Sequence, residues 1–297
     1  MMSIIACHLL QGYHNNWAWV LNIGVQVFFV MSGFLYAHKD IENWQDWFCR
    51  RIKKLYIPLS LFSFAMMLLY WLCGTSIQIK NIIAYLLDIQ AFMGGVNGLQ
   101  HLWFMTAIAL CYLVTPLLYT LRKYSTVVLG ILILIALVQY GYLQFQLFRF
   151  SWIYLYALGY FFVEASYRCK TIMLILSVLS FCIALCYIEF SILVQFNNPH
   201  NRFFHDVGGF ILFFGGYYLI RKLPNSYPCK KVVQYLDNNS FYYYITHHVF
   251  IFGMFSMLHV TDIKLINVVF ILFATLFTAY LLKQLSTFCS YTLSRFL

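Results

Sequence analysis

Charge is what this chain has least of. Only 9% of its 297 residues are charged and just nine are acidic, where a soluble globular chain carries about 25% charged residues. So few charges cannot cover the surface of a water-soluble body of this size. Catalytic signatures are missing as well. No CxxC pair, GxSxG elbow, Walker loop, GxGxxG or HExxH occurs, so nothing marks a zinc ribbon, an elbow-type hydrolase, a P-loop or a dinucleotide fold. Nine cysteines are present, but Cys7, Cys73, Cys111, Cys182 and Cys186 lie in or beside apolar runs, where Cys acts as a small hydrophobe. A disulfide framework is not expected, and no cluster has metal-ligand spacing.

What is there is apolar and arranged in blocks. Hydrophobic residues make up 63% of the chain. About 20 consecutive apolar residues cross a bilayer as a helix, and a backbone in lipid must satisfy its own hydrogen bonds. A barrel would alternate polar and apolar positions; Val127–Val138 (VVLGILILIALV) is apolar all round. The reading is an all-α polytopic membrane bundle forming one domain over 1–297. Ten runs are expected at about 1–11, 19–37, 55–73, 101–121, 126–145, 150–165, 171–190, 206–220, 240–258 and 265–283. The first is half the length a crossing needs, so the expectation is that an N-terminal piece precedes it. Segment 191–205 reads as a surface loop. Segment 74–100 reads as an interfacial amphipathic helix followed by a glycine-rich turn.

The formal net charge of +10 does not indicate nucleic acid, because the basic residues sit in short loops between runs. With the N-terminus cytoplasmic and the runs alternating, 15 of the 19 Lys and Arg fall on the cytoplasmic side. Only Lys80, Arg149, Arg202 and Lys264 fall on the other, which is the bias that sets membrane orientation.

Several residues could carry chemistry. His8 lies inside the first run, where an ionisable group is costly and usually faces the bundle interior. It serves either as a hydrogen-bonding partner for a neighbouring helix or as a proton acceptor for a hydroxyl. Arg50, Arg51, Lys53 and Lys54 stand where a loop enters a run. They are either ordinary cytoplasmic charge or an anion site, with Arg50 and Lys54 on one helical face; the anion could be coenzyme A or a lipid head group. His101 and Trp103 open the fourth run. In Tyr242–His248, adjacent His247 and His248 diverge by about 100° on a helix, so both are not expected to face one site. Tyr244 shares a face with each. The pairs Gly208-Gly209 and Gly215-Gly216 suit close helix packing. Mid-span acids are scarce, which counts against proton-coupled transport.

Five phrases in order give the chain a resemblance to the membrane-bound acyltransferase-3 family. They are His8, then Phe28-Phe29-Val30-Met31-Ser32-Gly33-Phe34-Leu35, then Arg50-Arg51-Ile52-Lys53-Lys54-Leu55-Tyr56-Ile57-Pro58, then His101-Leu102-Trp103-Phe104, then Ser240–His247. The resemblance implies transfer of an acyl group, usually acetyl, from acyl-CoA to a saccharide hydroxyl. It implies His8 as the catalytic base and Arg50, Arg51 and Lys54 as donor contacts, with Ser32, His101, Trp103, Tyr244 and His247 as acceptor contacts. Acetyl-CoA or another acyl-CoA would be a co-substrate, with no permanently bound cofactor and no metal. The partners would be a saccharide or glycolipid acceptor and the bilayer, in a bacterial inner membrane. Two departures stand out. Lys54 replaces the second Arg of the family's RxxxR element, keeping charge but losing the bidentate grip. The family's Arg eleven positions before the His would fall before Met1. The runner-up reading is a membrane transporter or flippase for a glycan or acyl carrier; a third is a structural partner in polysaccharide assembly.

Overall fold

The computed structural model describes residues 1–141, 151–187, 199–222 and 230–296. Among them there is helix and no strand. The longer helices are α1 (Met2–Gly12), α2 (Ala18–Leu21), α3 (Gly24–Ala37), α4 (Trp44–Leu72), α5 (Ile79–Leu86), α6 (Gln90–Met93), α7 (Trp103–Leu121) and α8 (Ser125–Gly141). They continue as α9 (Ser151–Glu164), α10 (Tyr167–Tyr187), α11 (Pro199–Ile220), α12 (Lys230–Ile251) and α13 (Lys264–Phe296). Five stretches are long and apolar enough to cross a membrane: Ala18–Ala37, Trp44–Leu72, Gln100–Ile135, Phe203–Ile220 and Lys264–Leu293. The protein is an all-α polytopic membrane bundle.

Its described residues gather into two compact units. The first unites Met1–Ala18, Gln45–Ala109 and Ser226–Leu297; the second unites Trp19–Trp44 and Leu110–Asn225.

In the second unit, α3 and α9 pack with almost no gap. A Cβ added at Gly33 would fall 1.9 Å from the Tyr156 carbonyl oxygen, and one at Gly159 would fall 2.1 Å from the Val30 carbonyl oxygen. Each helix presents a glycine to the other's backbone, as small residues do where membrane helices touch. Gly33 of the Ser-Gly pair is therefore a packing device. On α11, Gly208 and Gly209 meet Ile23 and Gln26 in the same way, with hypothetical Cβ contacts of 2.5 and 2.4 Å. At Gly215 and Gly216 an added Cβ would meet nothing within 4 Å, so among the described residues Gly208-Gly209 packs closely and Gly215-Gly216 does not. Arg122 ties helix ends together through Glu164 (2.7 Å) and Asp40 (3.3 Å).

The first unit is built on α1, α4, α12 and α13. Helix α4 has 29 residues, about 44 Å at 1.5 Å per residue. This exceeds the roughly 30 Å hydrocarbon core, so its basic first turns extend beyond the apolar slab. Pro58 sits inside it and leaves the Lys54 carbonyl without its intrahelical donor. Helix α1 packs on α12, and α12 on α13; Ile5, Tyr243 and Ala279 form a small buried core there.

The connector 74–100 contains the expected amphipathic helix, α5. Ala84 and Tyr85 are buried, whereas Ile79, Ile82, Ile83, Leu86 and Leu87 are exposed, an apolar face presented to lipid. The loop reading of 191–205 fails where it can be examined. Residues 191–198 lie outside the described residues, but 199–205 belong to α11.

Candidate active site

Four histidines meet inside the first unit. His8 comes from α1, His101 from the single 3-10 turn before α7, and His247 and His248 from α12. His8 Nδ1 lies 2.8 Å from His247 Nε2. The His8 ring is stacked on His247 at 5.0 Å and stands edge-on to His248 at 4.8 Å. His101 is stacked on His248 at 4.5 Å and lies 6.5 Å from His8. His101, His247 and His248 are buried, and His8 is partly exposed.

This corrects one expectation. His247 and His248 do diverge around α12, but His8 inserts from α1 into the angle between them and touches both. His248 thus joins the site although the sequence reading turned it away. The signal that could have found it lies in Asn97-Gly98. Gly98 adopts φ +81°, a region costly for residues with a Cβ. A side chain there would strike the Tyr70 hydroxyl at 2.6 Å and the Phe252 carbonyl oxygen at 2.7 Å. The Gly98 carbonyl is thereby brought to accept from His248 Nδ1 at 3.0 Å.

Backbone carbonyls orient the other rings. His101 Nε2 donates to the Ile245 carbonyl at 3.1 Å. His247 Nδ1 donates to the carbonyls of Tyr244 (2.8 Å) and Tyr243 (3.1 Å). The Tyr244 hydroxyl donates to the His101 carbonyl. His101 Nδ1 is buried with no hydrogen-bond partner among the described residues. A core selected for stability alone would not leave such a group, which costs about 1–3 kcal/mol. Among the described residues, no group of three or more His, Cys, Asp or Glu side chains is arranged so that it could hold a metal ion.

The connector steadies this cluster. The Tyr85 hydroxyl donates to the Leu99 carbonyl (3.0 Å) and accepts from Val96 N–H (3.3 Å). Asp88, at φ +52°, accepts from Gln90 Nε2 (2.8 Å) and Thr106 Oγ1 (3.3 Å), both at Oδ1. Gln90 Nε2 also donates to the Leu102 carbonyl at 2.8 Å, next to His101. Burial pushes the Asp88 carboxyl up to about 6, against the opposing pull of the Gln90 and Thr106 hydrogen bonds. A carboxyl whose folded pKa exceeds its unfolded value contributes stability below the unfolded value, and that contribution is lost as pH rises through the folded one. The thermal midpoint of the purified protein is therefore expected to fall between about pH 4 and 6. Asp88→Asn keeps an acceptor oxygen and tolerates positive φ, so it should flatten that dependence; an unchanged slope would contradict it.

The remaining candidates are Arg50, Arg51, Lys54, Trp103 and Ser32. Arg50 and Lys54 are exposed and Arg51 half-buried, on the first turns of α4. Lys54 precedes Tyr70 by sixteen residues, about 24 Å of helical rise, and it is the Tyr70 hydroxyl that approaches Gly98. Trp103 stands edge-on to Phe104 at 6.2 Å, and Phe104 lies 5.2 Å from Tyr244. Ser32 is buried in the second unit, beside Gly33.

Inside a membrane-embedded helical bundle, the cluster is thus a set of imidazoles oriented by backbone carbonyls. The family model described as "Acyltransferase domain" (acyltransferase-3) matches residues 1–283, and the chain belongs to that family. It is a membrane acyltransferase. No curated protein and no solved structure matches the chain.

Proposed function

We propose that this acyltransferase moves an acetyl group from acetyl-CoA to a hydroxyl of a cell-surface saccharide or its lipid-linked precursor in a bacterial inner membrane. His8 is the base. Its imidazole takes the proton as the hydroxyl oxygen attacks the thioester carbonyl, and the thiolate leaves with a proton returned from the same ring. The observation that carries the reading is the partly exposed His8 ring set among three buried histidines, inside a family whose members transfer acyl groups.

The separation along α4 supports the choice of donor. Arg50, Arg51 and Lys54 offer phosphate-binding charge about 24 to 30 Å of helical rise from the level of the histidines. A donor with phosphates at one end and a thioester at the tip of a long flexible arm suits that spacing, and a compact donor such as acetyl phosphate does not. Arg50→Ala is expected to raise the KM for acetyl-CoA about tenfold while kcat changes little, since a phosphate contact made in both ground and transition state is lost. Lys54→Arg should lower the KM by restoring the two-pronged grip. Steady-state transfer of labelled acetyl checks both; a fall in kcat at constant KM for Arg50→Ala would place the arginine elsewhere in the reaction.

A further inference from the structure

The partners of the four rings fix where their protons are. A backbone carbonyl can only accept, so the nitrogen facing it must carry hydrogen. His247 Nδ1 faces two carbonyls, so in the neutral ring Nε2 bears the lone pair. His8 Nδ1 sits 2.8 Å from that lone pair and must supply the hydrogen. The lone pair of His8 is then at Nε2, on the ring's opposite side. The same rule gives His248 an Nδ1–H toward Gly98 and His101 an Nε2–H toward Ile245.

We infer that His247 is a positioning residue: it selects the His8 tautomer in which Nε2 is free to take a proton, and it shares the positive charge that follows. The proposal rests on the reading of His8 as the base. In the reaction, the acceptor O–H proton goes to His8 Nε2 while the oxygen lone pair forms the bond to the acyl carbon. The carbon–sulfur bond breaks, the electron pair leaves on sulfur, and His8 Nε2 returns the proton to make the thiol. While His8 holds two protons, its Nδ1–H leans on His247 Nε2. The charge of His247 is in turn met by the Tyr243 and Tyr244 carbonyl oxygens. The chain is base, orienting ring, backbone acceptor, with carbonyls where a hydrolase triad has a carboxylate. The His248 ring, edge-on to His8, confines the base to this orientation.

The test has two arms. The first uses the intact wild-type protein in nanodiscs with 15N-labelled histidine, His8 and His247 being assigned by loss of signal in single variants. Imidazole 15N shifts separate protonated from lone-pair nitrogens. The expected pattern is a protonated Nδ1 and bare Nε2 in both residues; a protonated Nε2 on either in the neutral state overturns the proposal. The second arm compares His247→Gln with His247→Phe by acetyl transfer. The Gln side-chain oxygen can still accept from His8 Nδ1, and Phe cannot. We expect His247→Phe to lose about 100-fold in kcat with the acetyl-CoA KM within about threefold, and His247→Gln to stay within about tenfold of wild type. Equal loss in both variants would reduce His247 to packing and overturn the proposal. A wild-type protein that transfers no acetyl would defeat the reading of His8 as an acyl-transfer base, and the first arm would still decide the tautomers.

Discussion

His8→Ala is expected to reduce acetyl transfer by about 10²–10⁴-fold, the range that a positioned general base contributes. The variant should remain folded, because the ring is partly exposed and its one hydrogen bond is to another side chain. Acetyl-CoA binding should survive, since Arg50, Arg51 and Lys54 lie about 24 to 30 Å of helical rise away from Tyr70 and the histidine level. The informative experiment therefore measures binding and turnover together in membranes containing equal amounts of protein. Normal donor binding with lost transfer is the expected result. Wild-type transfer in the variant would remove His8 from the chemistry.

The second large effect is structural. Gly33→Val should prevent the bundle from assembling, because its Cβ must lie where the Tyr156 carbonyl oxygen now is, at 1.9 Å. A flexible side chain can yield to such an intrusion, but helix backbone yields only if α3 and α9 separate. Overpacking that backbone must relieve costs about 1–3 kcal/mol or more. Separating these helices would also expose the buried contacts around Phe29, Val30 and Tyr160. Gly215→Ala and Gly216→Ala are the matched controls, since none of the described residues lies within 4 Å of a Cβ at either position. Size-exclusion profiles of the solubilised protein should show Gly33→Val lost or aggregated and both controls intact. A well-folded Gly33→Val would contradict the close packing of α3 on α9.

The fold was largely legible because lipid imposes a simple rule: apolar blocks must be helices. Each of the ten expected runs overlaps helix among the described residues, though 142–145 and 188–190 lie outside them and 252–258 are not helical. Their ends were harder to read where polarity and helicity part company. The ninth run was expected at 240–258, but its helix starts at Lys230 and stops at Ile251. Asp237, Asn238 and Asn239 read as a polar break yet lie within the helix; Asn239 accepts from Lys283 of α13 at 2.9 Å. Gly253, at φ +107°, turns the chain after Ile251, a boundary that hydropathy cannot sense.

The site was legible in part. His8, His101, Tyr244 and His247 were each visible as polar groups in apolar surroundings, and the structure brings them together. His248 was discarded because helical divergence was treated as if a site must lie on one side of one helix. A ring inserted from a second helix can touch both diverging neighbours, and a helical wheel carries no information about that second helix. Gly98 was read as slack in a turn; its positive φ instead aims a carbonyl at His248. Within the phrase that holds Ser32, Gly33 meets the Tyr156 backbone, a contact that the sequence pattern does not reveal.

The measurement that bears most directly on the whole account follows the label itself. Purified protein in nanodiscs is supplied with acetyl-CoA carrying 14C in the acetyl group, together with glycan and lipid-linked precursors from the producing membrane. The account predicts label in the saccharide as an ester that mild alkali releases, formed with the wild-type chain and not with His8→Ala. Label that stays entirely on coenzyme A, with protein that is folded and supplied with every acceptor fraction, would contradict it.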